Sequence, residues 1–480
     1  MMNTSIPAPT SGTNGSLRQW IRQPRIAGVF ILAYLVVFAT ILFKLDRANT
    51  LFPLWSSLAF PPFVISPFII FSSPLSRRIK AGLILLVVLI LMPLIGIYDG
   101  GYLELSIQIA IFSALALGLN IVVGFAGLLD LGYIAFFAVG AYIWAMFSET
   151  NVTTVWSVAG LIVPGWAFYL FIPVGVFAAA LVGMLLGLPV LRLRGDYLAI
   201  VTLGFGEMIR VLARNLDQPY NLTNGTQGLS GVGRPPLPGF AVPLTANIGQ
   251  AMGIQISNVE PVSQQLLFYF IAIILLALII VIAQRLDNSP IGRAWTAIRE
   301  DEVAAVAMGV PLVRMKLLAF ASGAAFAGAI GVLFAAKNSF VSPESFSLDQ
   351  SISILAMVIV GGLGGIRGVI LGAIVVQLLN LQILVNFSLQ INALKNIDYV
   401  IPIINFPIRN WPPQLEPAKY QRLVFGLLLI LMTIFRPAGL LPEPRRKMEM
   451  RGRAPEPDEL ARLEEPAIAA EIDPKHANEG

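Results

Sequence analysis

Apolar stretches of about 20 residues recur from one end of this chain to the other, and no other feature constrains its fold as much. Ile26–Leu45, Ala81–Tyr98 and Leu266–Ala283 are the clearest, with a shorter one at Leu423–Phe435. A helix needs that length to cross the hydrocarbon core, and in lipid the backbone must satisfy its own donors and acceptors. These runs are therefore expected to be helices, and the chain an all-α, polytopic transmembrane bundle. Composition agrees, with 56% of residues hydrophobic and 12% charged, against about a quarter charged in a soluble domain.

Several chemistries are excluded or disfavoured at once. The chain has no cysteine, so it can form no disulfide and no thiolate site. Its one histidine, His476, stands in the charged C-terminal tail, away from any candidate site. A phosphate-cradling loop needs Gly-x4-Gly-Lys-Ser/Thr, and the glycine-rich run Gly361–Gly368 lacks the lysine. No catalytic, cofactor or metal site is expected, and an enzyme is the least favoured class. The formal charge of +5 is spread between spans and forms no stripe, which reads as membrane topology and not as a nucleic-acid footprint.

Candidate crossings are 26–45, 51–71, 81–98, 104–123, 128–147, 159–190, 197–214, 264–284, 317–336, 351–364, 367–386 and 421–435. That gives about 10 to 12 spans, since 51–71 is interrupted by Pro53, Pro61, Pro62 and Pro67 and 351–364 is short for a straight crossing. With an even number, both termini face the cytoplasm, and roughly two thirds of the Lys and Arg fall on that side, as the positive-inside bias expects. Residues 1–25 read as a polar cytoplasmic tail without a cleavable signal peptide, and 26–98 as accessory N-terminal transmembrane helices. The main transmembrane body is 99–440, with outer segments at 215–263 and 387–420 and a cytoplasmic loop at 285–316. Residues 441–480 mix Pro, Glu and Arg as a disordered cytoplasmic tail does.

Two glycine-rich apolar segments, Val123–Gly132 and Val360–Gly368, stand out as expected broken helices. Glycine lets helices approach closely and tolerates unwound backbone in mid-membrane, so the segments are either packing contacts or part of a translocation path. Read as running in opposite directions, they suit an inverted repeat. Asn120, Gly124, Gly127, Asp130, Glu207, Gly361 and Gly364 are the candidate path residues. Asp130 and Glu207 would also be the cation or proton sites of an ion-coupled secondary transporter, the alternative from another class. Glu207 and Arg210 are three residues apart on one helical face, which the bland reading makes an intramembrane ion pair.

The loop string from Ser289 to Gly309 begins with Pro290 and Gly292 and continues with strong helix formers from Arg293 to Met308. It predicts one short amphipathic helix, either a solvated connector or a docking element.

Several strings in order resemble the permease subunits of bacterial ABC importers for branched-chain and neutral amino acids, over about residues 104–440. They are Gly118–Gly127, Leu193–Glu207, Leu222–Leu229, Ile298–Ala305, Ser322–Gly331 and Arg436–Pro442. Urea permeases of the same superfamily share much of this pattern. The resemblance implies a multi-pass subunit of the bacterial inner membrane that conducts substrate. Its expected partners are a second related permease, two cytoplasmic ATP-binding subunits, a periplasmic substrate-binding protein and membrane lipid. It also implies that the ATPase is coupled through Ile298, Arg299, Glu300, Asp301, Glu302, Ala304, Ala305 and Gly309. Glu302-x-Ala304-Ala305-x-x-x-Gly309 is similar to the Glu-Ala-Ala…Gly coupling motif, with Val303 displacing one alanine.

Overall fold

The computed structural model of the chain describes residues 24–44, 52–148, 163–190, 196–254, 256, 258–396, 400–401, 406–407 and 417–441. Most of the two tails (1–25 and 441–480) and the start of the 159–190 crossing lie outside them. Among the described residues, seven helices are long and apolar enough to cross a membrane: Arg77–Tyr98, Gly100–Phe125, Gly165–Pro189, Val259–Asp287, Leu312–Asn338, Pro343–Gly361 and Ile366–Asn392. Shorter apolar helices cover Ala27–Phe43, Leu58–Ser72, Ile134–Phe147 and Gln421–Phe435. The chain is a polytopic helical membrane bundle.

Helix 312–338 is the hub. It packs most extensively on helices 168–190 and 134–147, and also on 100–120. Small residues make this possible, because helices in lipid gain little from hydrophobicity and associate where backbones can come close. A Cβ on Gly328 would sit 2.3 Å from the Gly175 carbonyl oxygen, and one on Gly331 would sit 2.3 Å from that of Phe137. At Gly323 it would lie 2.9 Å from the Gly118 oxygen. The hub thus touches three neighbours nearly backbone to backbone.

The prolines that interrupt 51–71 do not break it. Helix Phe52–Ser72 carries Pro61, Pro62 and Pro67 inside it, and the Tyr34 hydroxyl donates to the Pro62 carbonyl at 2.5 Å. That bond fixes helix 24–44 on helix 52–72, and membrane helices tolerate proline where surrounding groups re-satisfy the backbone it frees. The expected outer segment 387–420 is also helical further than its sequence indicates, since helix Leu384–Asn396 continues the preceding span.

The expected loop 215–263 contains a helix, Ala241–Ala251, and a two-residue strand. That strand pairs antiparallel with Phe340–Val341, placing Leu229 opposite Val341. It ties this loop to the C-terminal end of the hub.

One expectation is corrected outright. The helices carrying the two glycine segments run the same way, not oppositely. Glu104, near the start of helix 100–125, pairs with Lys337 at the hub's end, just before helix 348–361 begins. At their far ends Asn120 meets Gly364.

Candidate functional site: two helix breaks joined to a connector

Helix 100–120 passes into a wider π-type turn at Ile121–Phe125, and the chain is then unwound until helix 134–147 begins. Helix 348–361 stops at Gly362, which has φ +113°, and Gly364 has φ +87°. Both are conformations that only glycine adopts without strain. The two breaks touch. The Gly364 N–H donates to the buried Asn120 Oδ1 at 2.9 Å. Gly124 lies against the same pair, where a Cβ would fall 2.7 Å from the Gly364 nitrogen.

Unwound backbone inside lipid survives only if its polar groups find partners, and the first break finds them on several helices. Leu131 N–H donates to the Thr202 Oγ1 at 3.0 Å, and Gly132 N–H to the Asp130 Oδ1 at 2.9 Å. Ile134 N–H, at the start of the next helix, donates to the Ser351 Oγ at 3.1 Å. The buried Tyr133 hydroxyl donates to the Gly323 carbonyl of the hub at 3.0 Å. Gly132 has no room for a side chain, since a Cβ would stand 1.9 Å from the Thr202 carbonyl oxygen. Asp130 is buried, and its Oδ2 and the Asn120 Nδ2 have no hydrogen-bond partner among the described residues.

The second break is closed by residues 439–441, which follow helix 421–435. Leu440 N–H donates to the Val360 carbonyl at 2.9 Å and Leu441 N–H to that of Gly361 at 3.2 Å. Gly439, with φ +83°, comes so near that a Cβ would lie 2.4 Å from the Gly362 Cα.

The connector between helices 259–287 and 312–338 is two helices, Pro290–Glu300 and Glu302–Ala307, and not the one expected over 293–308. The reason is Asp301. Its backbone is extended, with φ −154°, and its Oδ1 accepts from Val303 N–H and Ala304 N–H at 2.8 and 3.0 Å. An aspartate in that role starts a new helix. The first helix is seated by Trp295, fully buried, whose indole N–H donates to the Met315 carbonyl at 2.8 Å, and by buried Ile298. Glu302 pairs with Lys316 at 2.8 Å, and the lysine side chain is only 4% exposed. Ala305 is buried, whereas Val303, Val306 and Met308 are exposed, Met308 at 85%. Gly309 has φ +83° and open space around it.

Arg299 joins the connector to the break. Its Nη1 donates to the Gly124 carbonyl at 2.7 Å, while its Nη2 pairs with Glu300 at 3.0 Å. Gly127, with φ +71°, leaves space for that arm: a Cβ there would be 2.6 Å from the Arg299 Cγ. A guanidinium held on a free carbonyl at the end of a broken helix is a strong, charge-assisted bond.

A family model described as branched-chain amino acid transport system / permease component matches residues 101–433. The chain belongs to that family. A relative in Escherichia coli K12, named as the high-affinity branched-chain amino acid transport system permease protein LivM, is 37% identical over 360 residues. The alignment covers 74% of this chain and 73% of the relative. The Salmonella typhimurium protein of the same name is 36% identical over 356 residues, covering 73% and 72%. In Methanocaldococcus jannaschii a probable branched-chain amino acid transport permease protein LivM is 26% identical over 273 residues, covering 56% and 67%. No solved structure matches the chain.

Within this permease the expected path residues separate into two places. Asn120, Gly124, Gly127, Asp130, Gly361 and Gly364 lie at the joined breaks. Glu207 does not join them. It pairs with Arg210 at 2.7 Å, and Arg210 and Arg214 both reach Glu344 beside the 229–230/340–341 strand pair. Thr202, Ser351 and Gly439 support the breaks and went unmarked as site residues in the sequence. Thr202 and Gly439 lie in strings that carry the family resemblance, while Ser351 carries no sequence signal.

Proposed function

We propose that the chain is the substrate-conducting permease subunit of an ATP-driven importer for branched-chain or neutral amino acids. The 285–316 connector takes up the movement of separate ATP-binding subunits and passes it to the glycine breaks. The Arg299–Gly124 bond is the observation that carries this reading, because it makes a surface element and a buried helix break one mechanical unit. Exposed Val303, Val306 and Met308 form an apolar face suited to a groove on a partner. The remaining partners are a second related permease and a periplasmic binding protein. The assembly sits in a bacterial inner membrane with both termini cytoplasmic, and the 26–98 helices are accessory to a 99–440 transport domain.

Amino acids are zwitterions, and the unpaired Asn120 Nδ2 and Asp130 Oδ2 put one donor and one acceptor on the first break. Such groups suit a polar cargo passing through an apolar bundle. ATP binding biases the two access states only through contacts that differ between them. Breaking and remaking the Arg299–Gly124 bond is such a difference.

The test is Arg299→Gln in the assembled transporter in vesicles, with ATP hydrolysis and uptake measured together. Uptake per ATP is expected to fall about tenfold or more, with subunit recovery unchanged. Unchanged uptake per ATP rejects the connection. Uptake that persists without ATP and follows an ion gradient would instead establish an ion-coupled carrier.

A further inference from the structure

A cavity of about 430 Å³ lies between the helices that precede the family match and those within it. Helices 52–72 and 77–98 form one wall, and helices 100–125, 259–287 and 366–377 form the other. The lining is almost wholly apolar. One end is marked by Phe71, Gln284 and Arg367, and the other by Met92, Ser106 and Tyr269. Along helix 259–287 the lining runs from Tyr269 to Gln284, which at 1.5 Å per residue is about 22 Å. One leaflet of a bilayer core is about 15 Å deep, so an acyl chain fits along the cavity from its mouth.

The mouth is cationic. The Arg367 guanidinium stacks on the Phe71 ring with its carbon 4.0 Å from the centroid. Lys80 Nζ stands 5.6 Å from the same centroid and donates to the Phe71 carbonyl at 2.7 Å. Among the described residues no carboxylate pairs with either cation, and none lines the cavity. Arg367 is exposed, so its charge is available. Two cations with no carboxylate partner among the described residues, over an apolar slot longer than one leaflet's depth, match an anionic headgroup above a hydrocarbon tail.

We infer that this cavity binds an anionic phospholipid, its phosphate on Arg367 and Lys80 and an acyl chain between the N-terminal helices and the transport body. The lipid joins the two sets of helices. That assigns helices 52–72 and 77–98 a purpose apart from transport, and the assignment is independent of the transport reading above.

The experiment is native mass spectrometry of the full chain purified with equal amounts of phosphatidylglycerol and phosphatidylcholine. The wild-type chain is expected to retain phosphatidylglycerol over phosphatidylcholine by about tenfold or more, each cation contributing several-fold. Lys80→Gln with Arg367→Gln is expected to bring the ratio near one, while Arg367→Lys keeps it. Ile273→Trp and Ile370→Trp fill the cavity from different helices of one wall, and each is expected to lose the retained lipid. Either serves alone if the other fails to fold. Equal retention of the two lipids by wild type, a ratio unmoved by the double substitution, or full retention in a folded cavity-filled chain overturns the assignment.

Discussion

Lys316 and Glu302 illustrate how a single pair divides its duties. The lysine is nearly buried and the glutamate is 24% exposed, so the two substitutions are not equivalent. Glu302→Gln leaves a buried ammonium without its carboxylate, which costs on the order of 1–3 kcal/mol once partial exposure is discounted. Lys316→Met removes the buried charge and leaves a carboxylate that can turn to water, so it is expected to cost less. Thermal unfolding of the two purified variants should show Glu302→Gln lower in Tm, and the reverse order would place the stabilising charge elsewhere. At Asn120 the structure makes a sharper demand. Asn120→Ala removes the acceptor of the Gly364 N–H while Gly124 still holds the breaks in contact. Uptake is expected to fall more than folding does, which paired uptake and melting measurements would separate.

The elements were legible to different degrees for physical reasons. Long apolar helices such as 259–287 announce themselves, since the period and length of their residues are local facts. The first break was also legible, because Gly124, Gly127 and Gly132 interrupt an apolar run. Its supports were not: Thr202 is 71 residues from Leu131, and Ser351 is 217 from Ile134. No local pattern says which hydroxyl will meet which free amide. The two-part connector was missed because Glu300-Asp301-Glu302 reads equally as a solvated turn of helix, and only the Asp301 cap splits it. Glycine positions then rank by what surrounds them. Gly132→Ala would drive a methyl into the Thr202 carbonyl, whereas Gly426→Ala meets nothing within 4 Å. The first is expected to lower recovery of folded permease severalfold and the second to leave it unchanged, as size-exclusion profiles would report.

Across the whole molecule, the hub helix and the joined breaks make one body from distant parts of the chain. The Glu344 cluster opposite the connector adds little to its stability. Its carboxylate is 64% exposed, and exposed ion pairs contribute at most about 1 kcal/mol. Glu344→Gln should shift Tm by only a degree or two, and a large drop would show that end to be a stability centre. The broad outline, many helices crossing a membrane with one internal connector, came from the sequence. The direction of the second glycine helix did not, because it depends on long-range contacts such as Glu104 with Lys337.

The strap at 436–441 gives the protein a timetable. The ribosome makes helix 348–361 well before it makes Leu440 and Leu441, so the carbonyls of Val360 and Gly361 must wait in the membrane for their strap partners. Until those last strap residues arrive, the newly inserted chain carries an open seam at its centre. A message cut just short of that strap would therefore yield a chain with its helices made and the carbonyls of Val360 and Gly361 left without these two donors.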